Sequence, residues 1–231
     1  MKIFKKSLAL LLILLTFFLS SCKGEEATEV TTAKEVESFH GVVFPLAVYS
    51  DIVVEEASLR TAEFPEDGSF EKKENVLVLK VKNESVEHLQ MLRLKVTTDK
   101  KEMFFDVTTL PVNMSVNVFE KNGQTLSEDE KIISITGEIR ADFQKPIGLQ
   151  RETFSLDVHD RVINVKNISK TDIDTVIYLY YKKKDSDGSY LGGITFRSKI
   201  EGLKAGELKQ IPASHFMLAD SEVIFLDYAV E

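Results

Sequence analysis

Val81-Lys82-Asn83-Glu84-Ser85 returns 84 residues later as Val165-Lys166-Asn167-Ile168-Ser169, identical at four of five positions. The match extends without a gap. Leu79 aligns with Ile163, Leu89 with Ile173, Leu92 with Val176, Leu94 with Tyr178 and Val96 with Tyr180. Apolar character at alternate positions is the pattern of a half-buried strand, whose side chains point to opposite faces in turn. In both copies Asn-x-Ser ends the preceding strand. Asn tolerates the left-handed conformation, and Ser bonds back to local backbone. A period of this length is too long for a solenoid and suits two tandem domains.

Working outward, short β-branched runs dominate. Val53 to Arg60, Asn75 to Lys82, Met91 to Thr97, Glu102 to Val107 and Met114 to Phe119 read as a first set of strands. A second set follows at Ile132 to Arg140, Glu152 to Val158, Val162 to Lys166, Asp174 to Tyr181, Tyr190 to Glu201, Glu207 to Ile211 and Glu222 to Val230. Turn residues separate them, for example Pro65-Glu66-Asp67-Gly68, Lys121-Asn122-Gly123 and Lys183-Lys184-Asp185-Ser186-Asp187-Gly188. No amphipathic helix of ten or more residues intervenes, so antiparallel sheets packed as sandwiches are expected. The polar, acidic stretch Gln124 to Lys131 marks the expected boundary. It gives domain 1 over residues 41–124 and domain 2 over 131–231.

The chain begins with Lys2, Lys5 and Lys6, then an apolar run from Leu8 to Phe18, then Leu19-Ser20-Ser21-Cys22. This is the three-part pattern of a signal segment, too short for a spanning helix. The tetrapeptide resembles the lipobox of bacterial lipoprotein precursors at every position. The resemblance implies cleavage between Ser21 and Cys22 and a diacylglyceryl thioether on Cys22, the chain's one cysteine. A palmitate-type acyl group on the new N-terminus would complete the anchor. Two or more acyl chains hold a protein firmly to a membrane where one does not. Lys23, not Asp, follows the lipidated position. Residues 22–40 are polar, acidic and Thr-rich, and read as a flexible tether. The expected location is therefore extracytoplasmic, on the cell surface or facing the periplasm.

Removing residues 1–21 takes away three lysines and no acids, leaving 26 basic against 37 acidic side chains, a balance of −11. That sign argues against nucleic acid, whose binding rests on Lys and Arg neutralising phosphates. It argues equally against adhesion to anionic lipid or wall polymers through bulk charge. With no cysteine left after acylation, hydrophobic cores and not disulfides must hold the fold.

In the second copy, Val165-Lys166-Asn167 with Ser169, the run Val176 to Tyr181, Asp187-Gly188 and Leu203-Lys204-Ala205-Gly206-Glu207 together resemble the FxLYD-type extracytoplasmic β-sandwich domains of bacteria. Tyr178 stands at the Phe of that pattern, Tyr180 at the Leu, Tyr181 at the Tyr and Lys182 at the Asp. The resemblance covers roughly residues 155–231 and implies an Ig-like fold without catalysis. The expected architecture is thus all-β: two tandem Ig-like antiparallel β-sandwiches after a signal segment and tether.

The candidate chemistry is sparse. His40, His88, His159 and His215 lack metal-ligand spacing. Asp185-Ser186-Asp187-Gly188 begins like a calcium loop, but the acid expected about six residues past the Gly is missing. Ser214-His215 is adjacent in sequence, which does not make a triad, and there is no Gly-x-Ser-x-Gly elbow. Asn83, Asn113 and Asn167 match the glycosylation sequon but read as turn or strand chemistry. The aromatic concentration is Tyr178, Tyr180, Tyr181 and Tyr190. Tyr178 and Tyr180 share a strand face. Tyr181, on the other, is expected to pair with Tyr190 across the hairpin, and these two are the candidate partner surface. The functional expectation is a non-catalytic binding or scaffolding module without cofactor, anchored to the membrane through Cys22. Its expected partner is an envelope protein, with a small solute or glycan as the alternative ligand.

Overall fold

A computed structural model describes residues 38–228, and all secondary structure in that span is strand. The strands are β1 (Leu46–Tyr49), β2 (Ile52–Glu63), β3 (Lys72–Asn83), β4 (Leu89–Thr98), β5 (Glu102–Leu110), β6 (Ser115–Phe119) and β7 (Ile132–Asp142). They continue as β8 (Phe154–His159), β9 (Val162–Asn167), β10 (Ile173–Lys184), β11 (Tyr190–Leu203), β12 (Leu208–Pro212) and β13 (Ser221–Tyr228). They form a seven-stranded sheet, β1-β2-β3-β6-β11-β10-β13, and two three-stranded sheets, β5-β4-β7 and β12-β9-β8. The architecture is consistent with β-sandwich packing.

Strand alternation builds the cores. On β4, Leu92, Leu94 and Val96 point one way and meet Leu77, Leu79 and Val81 of β3 and Met103, Phe105 and Val107 of β5. A second cluster joins Ile163 and Val165 of β9 to Ile177, Leu179 and Tyr181 of β10, with Ile200, Phe216 and Leu226. Each cluster is sealed between a three-stranded sheet and one end of the large sheet. Chain order repeats as well: β2-β3-β6 and β5-β4-β7 in the first half match β8-β9-β12 and β11-β10-β13 in the second.

The two Asn-x-Ser corners are alike atom by atom. The Asn83 amide donates to the carbonyls of Glu87 (2.9 Å) and Leu110 (3.0 Å), and its Oδ1 accepts from the amide (3.1 Å) and hydroxyl (2.6 Å) of Ser85. Asn167 donates to Thr171 (2.8 Å) and Leu203 (3.0 Å) and accepts from the amide (2.9 Å) and hydroxyl (2.7 Å) of Ser169. Both side chains are fully buried and use all four of their bonding sites. In each half this corner carries the chain from one sheet to the other, β3 to β4 and β9 to β10.

The halves clasp each other reciprocally. From the second half, the hairpin after β10 reaches back. Asp185 pairs with Arg60 and accepts from the Asn117 amide (2.8 Å), Asp187 pairs with Lys80 (2.9 Å), and Tyr190 enters the first cluster. Burial works against both carboxyls' charge, yet Arg60 and Lys80 with their hydrogen bonds hold them below the usual range. In return, the loop after β2 lays Phe70 on Phe196 (5.9 Å) and His215 (5.4 Å) and sends Glu66 into the seam. Glu66 accepts from the amides of Gly193 (2.8 Å) and Phe119 (3.0 Å). Lys182, fully buried beside it, donates to the carbonyls of Thr108 (2.9 Å), Gly193 (3.1 Å) and Ile194 (2.8 Å). Burial pushes Glu66 up to about 7 and Lys182 down to about 7. Gly193 permits the approach, because a Cβ there would lie 1.7 Å from the Asp106 carbonyl oxygen. A two-residue parallel ladder, Tyr190 to Val116 and Leu191 to Asn117, closes the large sheet across the seam. All described residues fall in one compact unit.

Two expectations need correction, and one strand is additional. Ile132–Asp142 does not open the second half: β7 pairs with β4, and Ile132 and Ile135 sit in the first cluster. The acidic stretch 124–131 is therefore a crossing between the two sheets of one half, and polar composition does not distinguish that from an interdomain linker. The tether does not run to residue 40, because Phe39 bridges Val42 and the His40 carbonyl accepts from the Ile132 amide (3.0 Å). The strand β1 was not anticipated; its four residues follow Pro45 and pair with β2.

Candidate functional site

A cleft of about 750 Å³ opens where the halves meet. Gln90 of β4 forms one wall, Phe143 to Ile147 with Gln150 a second, and Phe225 to Tyr228 of β13 the third. The connection from β7 to β8 is fixed at both ends. The Phe143 amide donates to the His88 carbonyl (2.9 Å), and the amides of Thr153 and Phe154 donate to the Gln150 carbonyl (2.8 and 2.9 Å). Between these anchors the loop lies along the free edge of β13. The Leu226 amide donates to the Gly148 carbonyl (3.1 Å), and the Gln150 amide nitrogen donates to the Leu226 carbonyl (2.8 Å). These bonds occupy groups that an added strand would use.

An aromatic run leads from the cleft across the sheet face. Phe143 meets Phe225 edge to face at 5.5 Å. Phe225 stacks on Tyr180 at 4.2 Å and 7°, and Tyr180 lies 6.4 Å from Tyr178. Arg197 caps Tyr178 at 4.5 Å. The register makes this run, since Tyr180 faces Phe225 on one side and Arg197 on the other, and Tyr178 faces Asp227 and Lys199. Phe225 is 4% exposed, and the other three rings are half-buried. Among the described residues, Lys145 and Asp227 in the cleft walls make no ion pair and the Gln90 side chain makes no hydrogen bond.

Tyr181 and Tyr190 are each 3% exposed, so neither forms a partner surface. Nor do they pair. Tyr181 lies opposite Phe196, stacked at 5.2 Å, and Tyr190 lies opposite Lys184. A register shift after Tyr181 separates the two, and each ring enters a different core. Burial raises the phenol of Tyr190, and Glu222 raises it further. Ser21 and Cys22 lie outside the described residues. The histidines stay apart: His40 bonds the Glu130 carbonyl (2.6 Å), His88 accepts from the Val112 amide (3.2 Å), His159 meets Asp157 (2.9 Å) and His215 stacks on Phe196 (4.8 Å). No group of three or more His, Cys, Asp or Glu side chains among the described residues is placed to hold a metal ion. The carboxylates of the 185–188 turn are turned to Arg60 and Lys80, which occupy them.

Tyr178 and Tyr180 share the outer face, as their spacing implies. Gln90, Phe143, Gln150 and Phe225 were not singled out by sequence, since they lie far apart in the chain and only the fold gathers them. No family model, no curated protein and no solved structure matches the chain.

Proposed function

We propose that the chain is a lipid-anchored, extracytoplasmic binding module without catalytic activity. Cleavage after Ser21 and acylation of Cys22 fix it to the membrane, and the residues up to 37 carry the folded part. In this reading the two halves are tandem Ig-like sandwiches derived from one repeated unit; their matching strand order and Asn corners support it. The mature charge of −11 turns it away from nucleic acid and anionic polymers.

The observation that carries binding is the cleft at the meeting of the halves, which Glu66, Gly193, Lys80 and Asp187 also join elsewhere. Its walls carry a single carboxylate, Asp227, which suits recognition better than hydrolysis by paired acids. An envelope protein docking over this region is one reading. A concave site with a few polar groups favours the second, a small solute or glycan.

Photo-crosslinking in cells tests both parts. A photoreactive residue at Gln144, in the cleft wall, is expected to capture an occupant that the same residue at Lys166, outside the cleft, does not. Palmitate labelling and membrane retention are expected to vanish in Cys22→Ala. Retention of the label in that variant sinks the anchor, and equal capture at both sites sinks the cleft.

A further inference from the structure

Resting on the reading of the cleft as a binding site, we infer that its occupant is a neutral, hydroxyl-rich saccharide chain. Charge makes the first cut. The charged side chains of the cleft walls are Lys145 and Asp227, of opposite sign, and Arg197 along the strip is spent on the Tyr178 ring, so no cluster of one sign is present to select an ion. Shape makes the second. The cleft is an open trough, and a compact apolar solute would leave most of its surface wet there. The strand edge makes the third, since Gly148 and Gln150 already bond the amide and carbonyl of Leu226, and an extended peptide would have to displace them to add to β13.

What remains fits a sugar. Gln90, Gln144 and Gln150 offer carboxamides, which donate and accept at once, as hydroxyl groups do. Among the described residues the Gln90 side chain has no hydrogen-bond partner, and Gln150 spends its nitrogen on Leu226 and keeps its oxygen. From Phe143 and Phe225 in the trough, half-buried Tyr180 and Tyr178 continue the run of rings; Phe225 stacks on one face of Tyr180 and Arg197 caps one face of Tyr178, which leaves their other faces and their edges to a ligand. Aromatic faces carry negative π density, which attracts the slightly positive C–H face of a pyranose. Tyr180 and Tyr178 lie outside the trough's own walls, so trough and rings together suit a chain of sugars and not one ring. Because the β7–β8 loop is bonded to His88 on one side and to Leu226 on the other, binding needs no closure of the halves.

The test uses the full lipoprotein in detergent micelles against an array of neutral, anionic and amino-sugar oligosaccharides, followed by calorimetry on the best binder. Neutral chains of three or more sugars are expected to bind, with affinity unchanged between low and high salt. Gln90→Ala and Tyr178→Ala, at partly exposed positions outside the two cores, are each expected to weaken binding about tenfold or more, the loss of one good contact. Preference for anionic sugars with strong salt dependence overturns the inference. So does loss of the Gln144 crosslink when a peptide is added before irradiation. If no saccharide binds while Gln144 still captures an occupant, the ligand class is wrong and the binding cleft stands. If Gln144 captures nothing, the cleft itself falls.

Discussion

Replacing Asn83 by Ala removes a side chain with four hydrogen bonds and no solvent exposure. The Ser85 hydroxyl, within 2.7 Å of the Glu87 carbonyl and released from Oδ1, donates to that carbonyl instead, so it is not orphaned. The Leu110 carbonyl loses a donor and the Ser85 amide loses its acceptor. A buried group left unpaired costs roughly 1–3 kcal/mol, so the substitution is expected to cost about 3 kcal/mol. For a unit of about 200 residues that lowers the melting temperature by ~6–12 °C. Asn167→Ala breaks the equivalent bonds and should cost the same within about 1 kcal/mol. Because the halves clasp each other, both variants should show one cooperative transition in calorimetry, each shifted whole. The double variant should lose close to the sum, since the corners share no partner. Two separated transitions, with only the mutated half shifting, would refute the clasp. A loss below about 1 kcal/mol at either corner would refute the argument from buried polar groups.

Other perturbations probe the seam. Tyr190→Ala opens a cavity in the first cluster from a second-half residue and should cost ~3–5 kcal/mol in urea unfolding, far more than half-exposed Tyr178→Ala. Gly193→Ala drives a methyl into the Asp106 carbonyl, and limited proteolysis should then cut between the halves at least tenfold faster; unchanged resistance would count against the close approach. Glu66, raised to about 7 from an ordinary 4.5, contributes stability that is full below pH 4.5 and is lost as pH rises through 7. In Glu66→Gln the decline of stability between pH 4.5 and 7 should flatten, and an unchanged slope in a pH series of denaturation curves would show that Glu66 does not titrate there.

Strand positions were legible because alternation is a local property. Leu92, Leu94 and Val96 declare an inward face without reference to anything else. The Asn corners were legible for the same reason, since Asn83 and Ser85 bond within a few residues of themselves. Partners were not. Nothing in Ile132-Ile133-Ser134-Ile135 tells that β7 lies beside β4, with Ile132 opposite Thr98 and Ile135 opposite Val96, and not beside the strands that follow. Parity along β10 correctly separates Tyr181 from Tyr178 and Tyr180, but which side faces the core depends on the sheet packed against it. The cleft was the least legible feature: Phe143 and Phe225 lie 82 residues apart, and a loop whose bonds run to β13 brings them together.

The position of Tyr190 has a consequence for when this chain can finish folding. A ribosome, or an export channel, delivers the chain from its N-terminus. Strands β1 to β7 are all available once residue 142 has emerged, yet their core still lacks one ring, and Arg60, Lys80 and Asn117 still lack their acceptors. Those groups arrive only with residues 185–190, more than a hundred positions downstream of Arg60 and Lys80. Closing so long a loop is slow, and contacts of this separation form late. The first half waits, incomplete, for the second.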